Sequence, residues 1–198
     1  MALKTSHENF ALLALVPPGN EARELALFKR ALFAATGEAS GLAFPEILPL
    51  AWRPGEPGLR GSKDARRRAL RLLERGLGEA WSGIEGGFEA EGLVEAGGSL
   101  FLDTKGPLEA LRGAALAALG ASFPGMEWER LPSSSAPFAL AADGFFIALG
   151  TISAKGAQVA PPRLSFRDAD LALYAFRTSR EPLALLWREM ARSKRKGL

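Results

Sequence analysis

Two short stretches of the chain alternate their residues in the way that β-strands do. The first spans residues 44–53 and sets Leu48, Leu50 and Trp52 against Pro49, Ala51 and Arg53. The second spans residues 145–150 and sets Phe145, Ile147 and Leu149 against Phe146, Ala148 and Gly150. Because successive side chains of a strand point to opposite faces, each stretch predicts a strand whose two faces differ in character.

The pattern in the rest of the chain predicts a mixture of strands and helices. A continuous apolar run at 10–16 is typical of a strand buried on both faces, and Gly97 with Gly98 predicts a hairpin between strands at 88–95 and 99–103. Strands are also expected at 126–131 and 164–176. Apolar residues at helical spacing predict helices that start near Asn20, Ser62 and Pro107, and a last helix at about 181–193.

The order of these elements predicts the fold class. Strand-then-helix units occur twice, which suggests a duplication, and the hairpin and clustered strands favour antiparallel sheets with helices on one side. We therefore expect an α+β fold and not a doubly wound parallel sheet.

The length of the chain limits the number of hydrophobic cores, and its composition suggests a cellular compartment. With 198 residues, the chain can form one core or two small lobes that share an interface. The absence of cysteine excludes disulfides, thiolate nucleophiles and cysteine-ligated zinc, and it favours a reducing cytoplasm. The apolar run at 10–16 is shorter than a membrane span and lacks the features of a leader peptide, so we expect a mature soluble protein that does not enter a membrane.

The charges permit an anionic partner without requiring one. The net charge is +3, and basic residues gather at 66–75 and 188–196. Such runs are usually solvated helix faces, which is the favoured interpretation, with contact to nucleic acid as the alternative.

Candidate catalytic and metal-binding residues are few. His7 is the one histidine, and its place near the terminus is typical of a surface residue. Asp143, Asp168 and Asp170 have a spacing that suits magnesium, although turn and strand-edge aspartates explain them better. We expect no bound metal and no cofactor.

Three cations in and after the strand predicted at 44–53 are candidates for binding a phosphate group. Residues 58–63 resemble half of a phosphate loop at a helix start, but an ordinary capped helix is the favoured interpretation. If the strand at 44–53 stays regular up to its end, Arg53 lies on the same face as Ala51. Arg53 could then contact a phosphate group together with Arg60 or Lys63. The alternative for Arg53 is a solvated strand end.

The chain resembles the two-histidine phosphoesterases, the superfamily of 2′-5′ RNA ligases and cyclic phosphodiesterases. Residues 45–52, Pro-Glu-Ile-Leu-Pro-Leu-Ala-Trp, are similar to that family's Pro-Glu-Asn-Leu-His-x-Thr-Leu segment, and 146–150 are similar to its second copy, His-x-Thr-Leu-Gly. The resemblance implies a single bilobal domain over residues 1–198. It also implies two antiparallel sheets facing a central cleft, with helices on their outer faces and lobes centred near 45–53 and 145–150.

This chain differs from the family at the positions of the family's catalytic residues. In the family, two histidines act as general base and general acid, and two threonines hold the phosphate oxygens. Here those positions carry side chains that can neither transfer a proton nor donate a hydrogen bond, namely Pro49, Ala51, Phe146 and Ala148. No residues are therefore assigned a catalytic role.

Two kinds of function follow from this comparison. The first is a catalytically inactive relative that binds a nucleotide, RNA or another small ligand in the cleft, or that assembles as a homo-oligomer or with a protein partner over it. The alternative is a hydrolase or phosphodiesterase that works through Arg53, Asp143, Asp168 and Asp170, with a metal ion as an optional requirement.

Overall fold

The computed structural model describes residues 9–55, 63–82, 84–96, 99–130, 145–150, 159–166, 168–178 and 185–193. Its strands are β1 (Asn9–Val16), β2 (Leu48–Pro54), β3 (Phe88–Ala96), β4 (Ser99–Lys105), β5 (Glu129–Arg130), β6 (Phe145–Gly150), β7 (Leu164–Phe166), β8 (Asp170–Thr178) and β9 (Leu185–Ser193). Its helices are α1 (Gly19–Thr36), α2 (Lys63–Trp81) and α3 (Leu108–Ser122), and a short 3₁₀ turn spans Ser40–Ala43.

The described strands form two sheets, and neighbouring strands within each sheet are antiparallel. Sheet A has the order β5-β2-β1-β8-β9, and sheet B has the order β6-β4-β3-β7. The predicted α+β class with two antiparallel sheets is confirmed. The predicted hairpin is confirmed as the β3–β4 pair, although Gly97 and Gly98 lie outside the described residues.

Two hydrophobic cores lie on opposite faces of sheet A. The main core contains side chains from all three helices and from both sheets. The aromatic core holds one face of β1, β2 and β8, and its members are Phe10, Leu12, Ala14, Val16, Phe44, Ile47, Trp52, Ala172, Tyr174 and Phe176. Alternate residues of β1 therefore enter different cores, which explains why the run at 10–16 is apolar throughout.

Helices α1 and α3 follow their sequence signals closely. Leu25, Phe28 and Leu32 form the buried stripe of α1, and Gly37 ends the helix in the left-handed conformation, with φ of 73°. Its N–H donates to the carbonyl oxygen of Phe33 at 2.7 Å, which satisfies one of the carbonyls left open at the helix end. Helix α1 begins at Gly19, one residue before the expected start near Asn20.

The expected last helix at about 181–193 is wrong over its described residues, 185–193. Residues 185–193 form strand β9, which pairs with β8 along its whole length. Leu186 and Trp187, which the helix would have buried, are 60% and 48% exposed. Pairing with a neighbouring strand has overridden the local helical spacing of the apolar residues.

The single strand expected at 164–176 is divided between the two sheets. Residues 164–166 form β7 at the edge of sheet B, whereas 170–178 form β8 inside sheet A. The chain thus passes from one sheet to the other within a few residues. No helix in the described part of the chain is long and apolar enough to cross a membrane.

Candidate functional site

The two strands that carry the altered motif positions lie against each other. Strand β2 belongs to sheet A and β6 to sheet B, yet they are in contact, and the 3₁₀ turn at Ser40–Ala43 also lies against β6. The fold therefore brings together two segments that are about a hundred residues apart in the chain.

A bulge in β2 separates Pro49 from Ala51. On the neighbouring strand β1, Leu13 pairs with Ala51 and Ala14 pairs with Pro49, so Leu50 is an extra residue. Directly paired residues share a face, which places Pro49 on the side of the aromatic core and Ala51 in the main core. The expectation that both residues share one face is wrong.

The bulge also moves Trp52 to an unexpected side. Trp52 pairs with Leu12 and belongs to the aromatic core, not to the face of Leu48 and Leu50 beneath the helices. Its indole Nε1 is buried and has no hydrogen-bond partner among the described residues.

Strand β6 has a bulge at a different place. Its backbone pairs Phe146 with Asp103 and Ala148 with Phe101, and the extra residue is Leu149. The bulge follows both motif positions, so these two pairs belong to one uninterrupted register. Their partners on β4, Phe101 and Asp103, alternate with Leu100 and Leu102, which enter the main core.

The face of sheet A around Pro49 is closed. Ala14 lies beside Pro49 on β1, and Ala172 lies beside Ala14 on β8. All three residues are buried, and the two alanines have no exposed surface. Phe10 stacks on Phe176 further along this face, with ring centroids 4.9 Å apart.

A buried lysine holds the segment that leads into β2. Lys29 of α1 is 2% exposed, and its Nζ donates to the carbonyl oxygen of Phe44 at 2.8 Å and lies 3.5 Å from a carboxylate oxygen of Glu46. Desolvation lowers the pKa of Lys29, against the attraction of Glu46. The apolar pattern does not single out Lys29, although its place among Leu25, Phe28 and Leu32 on the buried side of α1 was a signal.

The three predicted phosphate-binding residues are not assembled into one described site. Arg53 pairs with Ala11 on the face of Ala51, and its Nη1 is buried without a partner among the described residues. Its Nε donates to the carbonyl oxygen of Pro54 at 3.3 Å. Lys63 is exposed at the first turn of α2, and Arg60 lies outside the described residues.

Of the aspartates in the hydrolase alternative, Asp170 lies far from Arg53. Arg53 aligns through Ala11 with one end of sheet A, whereas Asp170 pairs with Val16 at the other end. Val16 lies five steps along β1 from Ala11, which corresponds to about 17 Å along the strand. Asp168 is exposed, and Asp143 lies outside the described residues.

Asp170 instead belongs to a polar network on β8 and β9. Arg192 donates to Asp170 at 3.2 Å, to Glu189 and to the hydroxyl of Tyr174, which in turn donates to Glu189 at 3.3 Å. Burial raises the pKa of Tyr174 to about 12, and the hydrogen bonds to Glu189 raise the pKa of Arg192. These groups satisfy one another, so the network stabilises the edge of sheet A.

A cavity with charged walls lies on sheet B. It has a volume of about 440 Å³ and is lined by Glu91, Gly92, Leu93, Val94, Asp103, Lys105, Pro161 and Arg163. Asp103 and Lys105 alternate along β4 with the buried residues Leu102 and Thr104, so they lie on the face that carries the Phe146 position. That alternation at 99–105 was the signal by which sequence analysis could have found them. No group of three or more His, Cys, Asp or Glu suited to a metal ion occurs within the described ranges.

Comparison with known proteins identifies the fold. No protein-family model and no curated protein matches the sequence. Among solved structures, the crystal structure of Escherichia coli LigT complexed with 3′-AMP matches with a TM-score of 0.50 at 15% identity, covering 97% of this chain and 100% of that one. The apo form of LigT gives 0.47 at 16% identity, with the same coverage.

The likeness covers nearly the whole chain, so this protein has the LigT fold. The resemblance that residues 45–52 and 146–150 suggested is confirmed at the level of the fold. The fold places β2 beside β6, and the altered motif positions are on these two strands.

Proposed function

We propose that this protein is a non-catalytic binding protein with the LigT fold, and that it binds a nucleotide or an RNA end between its two sheets. The observation that carries the proposal is the contact between β2 and β6, the strands on which the family places its two catalytic motifs. The solved LigT structure contains 3′-AMP, a nucleotide of the class we propose.

The side chains at the motif positions support binding over catalysis. Pro49, Ala51, Phe146 and Ala148 offer no proton donor or acceptor with a pKa near neutrality. The bulge at Leu50 adds a geometric obstacle, because it directs Ala51 into the main core. Acid and base catalysis across a phosphodiester needs two such groups facing one substrate.

One free donor on β2 supports an anionic ligand. The buried Nη1 of Arg53 is a hydrogen-bond donor that has no acceptor within the described part of the chain. A guanidinium bonds phosphate oxygens well, because its planar donors match their geometry.

Calorimetric titration of the full-length protein with 3′-AMP and with 2′,3′-cyclic AMP tests the proposal. We expect saturable binding of both ligands, with the cyclic ligand recovered unchanged afterwards, whether or not magnesium or manganese is present. Turnover of the cyclic nucleotide would overturn the non-catalytic assignment, and no heat of binding at millimolar nucleotide would overturn the binding role.

A pair of variants locates the binding. If the phosphate of 3′-AMP lies beside β2, Arg53→Ala should weaken its binding by roughly tenfold, the usual effect of losing one hydrogen bond to a charged group. Arg30→Gln removes an exposed cation from α1 and is the matched control, with unchanged affinity expected.

A further inference from the structure

The charged cavity on sheet B is shaped by a bulge in β3. Ala90 pairs with Thr104 and Leu93 pairs with Leu102, so Glu91 and Gly92 together oppose the single residue Asp103. Gly92 has φ of 78°, a conformation that favours glycine. Bulges of this kind redirect side chains and are common beside functional sites.

The bulge brings opposite charges together at the cavity wall. Glu91 lies 3.5 Å from Lys105 and 3.8 Å from Arg163, which are long distances for ion pairs. The side chains of Lys105 and Arg163 are 64% and 89% exposed. Such exposed pairs contribute little to stability, so a ligand phosphate can replace Glu91 as the partner of both cations at small cost.

The remaining groups suit the rest of a nucleotide. The Asp103 carboxylate can accept a hydrogen bond from a hydroxyl group, and the side chain of Val94 adds apolar surface. A volume of about 440 Å³ is within the range of small-molecule sites, roughly 300 to 1,000 Å³. Asp103 is also paired with Phe146, so the cavity adjoins the second motif strand.

We propose that this cavity is the nucleotide subsite of the protein, in which Lys105 and Arg163 bind the phosphate and Asp103 binds a ribose hydroxyl. The inference rests on the proposed function and deepens it, because it specifies a ribonucleoside monophosphate and a position on sheet B.

Titration of the full-length protein with 3′-AMP, with the corresponding 2′-deoxynucleotide and with inorganic phosphate tests this assignment. We expect the ribonucleotide to bind roughly tenfold more tightly than the deoxynucleotide, and phosphate alone to bind more weakly than either. Lys105→Ala should weaken binding of both nucleotides by roughly tenfold. Asp103→Ala removes the acceptor and should abolish the preference for ribose without weakening the binding of the deoxynucleotide.

The outcomes separate this inference from the proposed function. If 3′-AMP binds but Lys105→Ala and Asp103→Ala behave like Arg30→Gln, the subsite is wrong and the binding role stands. If inorganic phosphate binds as tightly as the ribonucleotide, the hydroxyl contact is wrong. If no nucleotide binds the unmodified protein, both proposals fail. Circular dichroism of each variant confirms that a lost affinity does not reflect unfolding.

Discussion

At the scale of single residues, Tyr174 gives the most direct test of the structure. It is the one tyrosine in the chain, so its phenolate signal is unambiguous. Burial raises its pKa from 10.0 to about 12. We expect the near-ultraviolet phenolate absorbance of the folded protein to appear around pH 12, and that of the protein in denaturant around pH 10.

The same shift makes stability depend on pH. Between pH 10 and about 12 the folded state keeps the phenolic proton, whereas the unfolded state loses it. The stabilisation by this group is therefore complete below pH 10 and is lost as the pH rises to about 12. Tyr174→Phe should show a smaller decline of unfolding free energy over this window. Equal declines in the two proteins would contradict the assigned burial.

Ala51 is a core residue as well as an altered motif position. It has no exposed surface, and its neighbours on this face belong to the main core. Restoring the family's residue with Ala51→Thr should therefore cost about 1–3 kcal/mol of stability, because the hydroxyl becomes buried and the site is already filled.

Urea denaturation measures this effect. Ala160→Thr, at an exposed residue outside helices and strands, is the control and should change the unfolding free energy by no more than about 0.5 kcal/mol. A neutral Ala51→Thr would mean that the side chain at position 51 points into open space and not into the main core.

At the scale of elements, α2 and α3 pack closely at one glycine. A Cβ atom added at Gly76 would lie 3.0 Å from the Cβ of Ala118, whereas one added at Gly113 would meet nothing within 4 Å. Gly76→Leu should therefore destabilise the protein by about 1–3 kcal/mol through overpacking.

Gly113→Leu is the matched substitution on α3. At this open helical position, a residue with better helix propensity should stabilise the protein by about 0.5–1 kcal/mol. Thermal and urea unfolding of the two variants compare them directly, and effects of the same sign would argue against the α2–α3 contact.

The elements also show what sequence patterns can and cannot predict. Strand β1 and helix α3 were predictable because their burial follows from residues close together in the chain. The strand is apolar at every position from 10 to 16, and the helix has apolar residues at helical spacing. Strand β9 was not, because Leu186, Trp187 and Met190 also fit a helical stripe, and only pairing with β8 decides between the two. The bulges at Leu50 and Leu149 were likewise hidden, since each depends on the register with another strand.

At the scale of the whole molecule, the distribution of charge predicts how RNA would bind. Arg67, Arg68, Arg71 and Arg75 are exposed on α2. If α2 contributes three phosphate contacts, the affinity for single-stranded RNA should fall with salt, with a logarithmic slope of about −2.

Fluorescence anisotropy with a labelled oligonucleotide measures this slope. A double variant, Arg67→Gln with Arg71→Gln, should reduce it by about 1 to 1.5, while Arg23→Gln on α1 should leave it unchanged. A slope near zero for the unmodified protein would exclude α2 as a phosphate-binding surface.

The passage of the chain from β7 to β8 limits how the two sheets can move. Residues 167–169 are all that joins the end of β7 in sheet B to the start of β8 in sheet A. Four steps between successive Cα atoms span at most about 14 Å, so this connection acts as a short tether. The end of β7 and the start of β8 therefore cannot move further apart than this length. A ligand that widens the space between the sheets must displace other parts of the two sheets, because these two strand ends stay together.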